Sequence, residues 1–217
     1  MVTKRKSIKV RDGEQTQREF IDAVGAVLCE SGFRALTTTN IARKAGKHWG
    51  LVKYYFEDID GLKKAYILDK DYWPPFFERF KLGENPGKEE LQALFTNLMQ
   101  ENFRFFLANP SMQQIILWQI SEANVLLTGI SEAREKEGEK LLALTDVYFK
   151  DSGISVRALM AILLGGIYYA VLHAKANKST VAGIDVNRVK DQQVVLQTIA
   201  QVIAWAWGAA GEKERTK

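Results

Sequence analysis

All four prolines of the chain stand at positions 74, 75, 86 and 110, and between them the apolar residues recur every three to four positions. Proline has no amide hydrogen to donate and its ring crowds the preceding turn, so each marks an interruption of a helix. The proline-free stretches can stay helical. Phe20, Ile21, Val24, Val27 and Leu28 form one apolar stripe that stops at Ser31-Gly32, which predicts a first helix over residues 14–31. Thr37, Thr38 and Thr39 offer N-cap hydroxyls for a short helix that turns Ile41, Ala42 and Ala45 inward and ends at Gly46. A third short helix is expected over residues 48–56. Asp58 or Asp60 can cap a fourth, carrying Leu62, Ala65, Tyr66 and Leu68, which must break or kink at Pro74-Pro75.

Beyond Pro86 the segments lengthen. Leu91, Leu94, Phe95, Leu98, Met99, Phe103 and Phe106 mark a helix that stops at Asn109-Pro110, and Ile115, Ile116, Trp118 and Ile120 mark a shorter one. A helix near residues 131–150 has one solvated, charged face, and helices over 156–177 and 187–209 close the chain. No alternating strand pattern and no internal repeat stands out. The expected fold is therefore all-α with about nine helices, divided into a three-helix head over residues 1–60 and a helical body over residues 61–217.

Composition removes several functional classes. With one cysteine, Cys29, no intrachain disulfide can form. The only histidines are His48 and His173, so a paired-histidine zinc motif is absent, and no glycine-rich phosphate loop has the required spacing. No catalytic residue, metal ligand or cofactor is assigned, and the chain is read as non-enzymatic. The basic residues 1–11 are followed by no apolar signal segment. The longest uncharged apolar run, residues 158–172, spans fifteen residues, against the roughly 20 a bilayer needs. The expected location is the cytoplasm, with no membrane partner.

Charge is unevenly placed. Residues 1–56 hold eleven Lys/Arg against five Asp/Glu, a net +6, so the remainder carries −2 of the chain's +4. A basic first quarter on a slightly acidic body suggests a head that binds a polyanion. Two short helices about a glycine turn, behind a basic arm, describe a helix-turn-helix, in which the second helix enters the major groove and the first braces it across the phosphates. Ile41, Ala42, Ala45, Val52 and Phe56 would form its small core. Lys47, His48, Trp49, Gly50, Leu51, Lys53 and Tyr54 are left to face DNA, and the arm over residues 4–11 is expected to have no fixed structure of its own.

The set Gly32-Phe33, Thr37-Thr38, Ile41-Ala42, Ala45-Gly46 and Tyr54-Tyr55-Phe56, followed by Leu62, resembles the TetR family of bacterial transcriptional regulators over residues 20–68. That resemblance implies a homodimer, a double-stranded DNA operator of palindromic form, and a small molecule that alters operator affinity, most often in a repressor. It implies that Thr38 caps the second helix and touches phosphate. Trp49, Gly50, Leu51 and Lys53 would face the groove, and Tyr54 and Tyr55 would grip the backbone. His48 replaces the usual small capping residue, so the recognition helix is expected to begin differently. Ile59 stands where a phosphate-binding lysine often lies, which moves that contact to Lys63.

In the body, the helix over 156–177 is apolar almost all round and must be covered on two sides. A second copy of the chain is the natural cover, with Gly165 and Gly166 allowing close approach and Trp205 and Trp207 supplying interface aromatics. Substituting Gly165 or Ile203 by a charged residue should then break the dimer. Met99, Phe103, Trp118, Glu122, Tyr148, Tyr168 and His173 are the candidate ligand-binding residues. They suit a hydrophobic or aromatic effector held among Phe103, Trp118 and Tyr168. A helical small-molecule or lipid carrier with no DNA role is the alternative reading, since it needs the same pocket but no basic head.

Overall fold

The computed structural model describes residues 2–71, 73, 75 and 86–212, with side chains from residue 12 to residue 210. Apart from one antiparallel bridge, Val181 to Ile184, the regular structure among the described residues is helical. Ten α-helices are described. They are α1 Val2–Ser31, α2 Thr38–Ala45, α3 Gly50–Phe56, α4 Ile59–Lys70, α5 Lys88–Ala108, α6 Pro110–Ser121, α7 Val125–Ala143, α8 Asp146–Phe149, α9 Val156–Asn177 and α10 Val189–Glu212.

The helix ends follow capping chemistry with three departures from expectation. Thr37, not Thr38, caps α2: its hydroxyl accepts the Asn40 N–H at 3.2 Å, and Thr38 becomes the first helical residue. α1 starts at Val2 rather than near Glu14, so the basic arm is a helical continuation instead of an unstructured tail. α4 ends at Lys70, before the prolines. Pro74 itself lies outside the described residues. Asp58 caps α4 by accepting the Gly61 N–H at 2.7 Å, and Gly46 ends α2 in the left-handed conformation, both as expected.

Two compact units emerge from the packing: Met1–Asp71 with Pro110–Leu126, and Tyr72–Asn109 with Leu127–Lys217. In the first, Phe20, Val24 and Leu28 of α1 are buried together with Leu36, Ile41, Ala42, Val52, Leu62 and Ile67. Ala45 and Phe56, expected in this core, are only half-buried. α6 packs on α1 and α4. Tyr66 of α4 lies against α1 where position 25 is glycine, since a Cβ there would come within 2.9 Å of its ring.

The second unit is built on α5. Its stripe of Leu91, Leu94, Phe95, Leu98, Met99, Phe103 and Phe106 is buried as the periodicity required, and α9 and α10 pack on it. Trp207 is 1% exposed, with its ring 4.7 Å from Phe149 and 5.9 Å from Phe95, so it is a core residue and not an interface aromatic. Ile203 is likewise fully buried, and a charge there would damage the unit itself rather than a surface. Trp205, by contrast, is exposed.

α9 is capped by Ser155, whose hydroxyl accepts the Ala158 N–H at 3.2 Å. Its 22 residues make it long and apolar enough to cross a membrane by length and composition, although the uncharged run alone is shorter. One stripe, Val156, Met160, Ile167, Val171 and Ala174, is buried. The opposite side, with Ala158, Ala161, Ile162, Gly165, Gly166 and Tyr169, is exposed.

Candidate nucleic-acid interface

The first unit holds α3 at a fixed angle by two kinds of contact. Val52 is buried beside Ile41 and Ala42 in its core, and the Phe20 and Phe56 rings meet edge to face at 6.2 Å. Ion pairs then tie α1 to its neighbours: Lys47 to Glu19 at 2.7 Å, Lys44 to Glu30 at 2.6 Å, and Arg18 to Asp69 at 2.7 Å. The Lys47 ammonium, aided by Gln15, holds the Glu19 carboxyl below its ordinary range, and the Arg18 guanidinium does the same for Asp69. Exposed pairs of this kind add little stability each, so their effect is mainly to set orientation.

α3 begins at Gly50 because His48 takes the place of a short capping residue. Its Nδ1 accepts the Gly50 N–H at 3.2 Å. Residues 48 and 49 then form tight turns, with Leu51 N–H donating to the His48 carbonyl and Val52 N–H to that of Trp49. The far end of α3 is equally constrained. Glu57 has φ 70°, and the Phe56 carbonyl oxygen lies so close to Gly61 that a Cβ would sit 2.0 Å from it.

These constraints turn one face of α3 outward. Trp49 is 62% exposed and Tyr54 77% exposed, and Lys53 is exposed as well. Gly50 and Leu51 are partly covered. Tyr55 is half-buried, its ring edge-on to Tyr54 at 4.8 Å and near Gly13. Of the cations on α2, α3 and their turn, Lys44 and Lys47 are paired, whereas Arg43 and Lys53 are exposed and unpaired. Lys63 is folded inward instead of outward: its ammonium meets Asp60 at 3.2 Å and lies 5.9 Å from the Trp118 ring centroid, away from the phosphate role its position suggested.

The seven candidate ligand residues are divided between the two units. Trp118 and Glu122 belong to the first unit, and Met99, Phe103, Tyr148, Tyr168 and His173 to the second. Trp118 is buried and stacked on Phe33 at 6.0 Å, and its Nε1–H donates to Glu122 Oε1 at 2.8 Å. In the second unit Met99 and Phe103 are buried on α5, and the Tyr168 ring lies 4.5 Å from that of Phe106. The Tyr148 hydroxyl donates to the Pro86 carbonyl at 3.2 Å. His173 Nδ1 meets the Asn177 amide at 3.2 Å, while its Nε2 is enclosed without a partner. An open hollow of about 480 Å³ on the first unit is lined by Val27, Ser31, Ala35, Asn40, Arg43 and Lys44, and none of the seven lies in it.

Two features escaped the sequence reading. Phe33 as the partner of Trp118 had no local signal, because residues 33 and 118 meet only through the packing of α6 on α1. Asn102 did have one: a carboxamide at the spacing of a stripe otherwise made of leucine, methionine and phenylalanine.

A helical pair of this geometry, with an exposed aromatic and basic face on the second helix, defines a helix-turn-helix DNA-binding protein. No family model matches the chain. Its sequence is 27% identical over 165 residues to the HTH-type transcriptional regulator BetI of Escherichia coli K12, covering 66% of this chain and 85% of that protein. Its fold is similar to that of the fatty acid degradation regulator FadR from Bacillus halodurans, with TM-score 0.60 and 16% identity over 86% of this chain and 96% of that one. A TetR family transcription regulator from Marinobacter aquaeolei VT8 gives TM-score 0.58 and 19% identity over 93% and 97%. The chain is thus similar in sequence to a helix-turn-helix transcriptional regulator, and in fold to a protein described as a TetR family transcription regulator.

Proposed function

We propose that the chain is a ligand-responsive repressor that binds a palindromic DNA operator as a homodimer and is released by a small hydrophobic effector. The observation that carries this reading is the outward face of α3, where Trp49, Lys53 and Tyr54 stand exposed on a helix whose two ends are pinned. Gly50 and Leu51 would face the groove beside them, while Thr38, Lys47, His48 and Tyr55 would position the face on the phosphates. For Lys47 this means exchanging Glu19 for a phosphate. The cytoplasm is where such a protein meets its operator.

The test is a gel shift against the DNA flanking the chain's own gene. Trp49→Ala and Lys53→Ala are each expected to weaken specific binding by about 1–3 kcal/mol, more than they weaken non-specific binding. Equal losses on both would reduce these side chains to supports of the head.

The exposed side of α9 supports the dimer. Ala158, Ile162, Gly165 and Tyr169 recur at spacings of three and four, and α10 adds exposed Val194 and Trp205. Two such faces can cover each other, and a two-fold operator would present its half-sites about 34 Å apart or a multiple of it. Ile162→Glu should give monomer in sedimentation at micromolar concentration. A single-chain mass for the unaltered protein would sink the dimer. The body's aromatic stripe, and likeness to a protein described as a fatty acid degradation regulator, both favour an apolar effector.

A further inference from the structure

His48 caps the start of α3 in the manner of a serine or threonine, with different atoms. Its carbonyl accepts the Leu51 N–H at 3.1 Å, and its ring Nδ1 accepts the Gly50 N–H at 3.2 Å. Glycine at position 50 leaves room for the ring: a Cβ there would come within 3.1 Å of Nδ1 and 3.3 Å of Cε1, and the ring would have to give way. His48 is exposed, and the Trp49 ring lies 5.4 Å from its own. Among the described residues no carboxylate and no cation is paired with it, and the adjacent cation, Lys47, is held by Glu19 of α1. A hydroxyl cap keeps one form across the physiological pH range. An imidazole does not.

We propose that His48 is a positioning residue that sets α3 for DNA only as the neutral ring protonated on Nε2. The form follows from the hydrogen bond, because a ring nitrogen that accepts an N–H carries no proton of its own. Nε2–H is then the donor His48 has for a phosphate. A second proton would go to Nδ1, toward which the Gly50 N–H already points, and the cap would be lost. Trp49, Gly50 and Leu51 stand at that end of α3, so the residues read as groove-facing are the ones that lose their support. Two effects oppose each other here: phosphates favour the charged ring, and the cap excludes it. Charge alone would make acid tighten DNA binding, whereas the cap makes acid weaken it. This rests on the DNA-binding reading above and adds the protonation state that reading requires.

Binding of the full chain to fluorescently labelled DNA flanking its own gene, followed at constant ionic strength from about pH 8 to about pH 5.5, tests the proposal against His48→Asn. Asparagine supplies an acceptor for the cap and a donor for a phosphate, and it does not titrate. Between the two ends of the range the unaltered chain is expected to lose at least about threefold more affinity than the variant. Equal pH profiles, or a relative gain for the unaltered chain in acid, overturns the proposal. Nitrogen NMR of the histidine rings in the unaltered chain does not depend on how the variant folds. The ring assigned to His48 through its contact with Trp49 is expected to show a bare Nδ1 and a protonated Nε2 at the upper end, and the reverse tautomer would overturn the proposal as well. The spectrum needs no DNA, so a chain that shows the expected tautomer but binds DNA at no pH keeps His48 as the cap and refutes the DNA-binding reading.

Discussion

Gly61→Ala is expected to lower the stability of the chain by about 3 kcal/mol or more, seen as a melting point about 6–12 °C lower for a protein of this size. The reason is a backbone collision and not a change in propensity. A Cβ at position 61 would stand 2.0 Å from the Phe56 carbonyl oxygen, and that oxygen already accepts the Asp58 N–H at 2.8 Å. The corner has little slack, because Glu57 is held at φ 70° and Asp58 is committed to capping Gly61. Relief can come only by moving the end of α3 away from the start of α4, which tilts the face that carries Lys53 and Tyr54. DNA binding should therefore fall beyond what the melting point alone explains. An unchanged melting point together with unchanged DNA binding would show that the corner opens freely.

The second large effect is expected at Trp118. Its position among the middle helices suggested an effector contact, whereas the structure gives it work inside the first unit: it stacks on Phe33, lies beneath the Lys63 ammonium and donates to Glu122. Truncation to alanine removes a buried ring and leaves a cavity, a change that costs about 3–5 kcal/mol. Trp118→Ala should thus destabilise the first unit and weaken DNA binding. Trp118→Phe keeps the stack and loses the bond to Glu122, for about 1 kcal/mol. Thermal unfolding followed by near-ultraviolet circular dichroism distinguishes them. An alanine variant that melts with the unaltered protein would return Trp118 to the list of ligand contacts.

How far the sequence could be read depended on the range of the interactions. The α5 stripe and the capping of α2 and α4 are set by residues within four or five positions of one another, and periodicity exposes them directly. The exposure of Trp49 was also legible, since a large ring beside a glycine in a short helix has nowhere to be buried. Trp207 was misread because an apolar stripe drawn from α10 alone cannot show that Phe95 and Phe149, from distant segments, widen the core on that side. Lys63 failed for a similar reason, as its aromatic partner is 55 positions away in sequence. In the candidate interface, the identity of the outward residues came from spacing, but the pinning at Glu57 and Gly61 is a backbone matter to which residue type gave no clue.

The first unit is discontinuous: the chain completes residues 1–71, leaves, and comes back as residues 110–126 to supply α6. Exchange of this head between regulators, by recombination or by design, therefore cannot be done at a single junction. A fragment ending near residue 71 would leave the Phe33 ring without Trp118, and a chimera fused there would offer α1 and α4 a foreign α6. Chimeras that pair the second unit with another DNA-binding head would need two crossovers, or a transplant confined to the outward residues of α3.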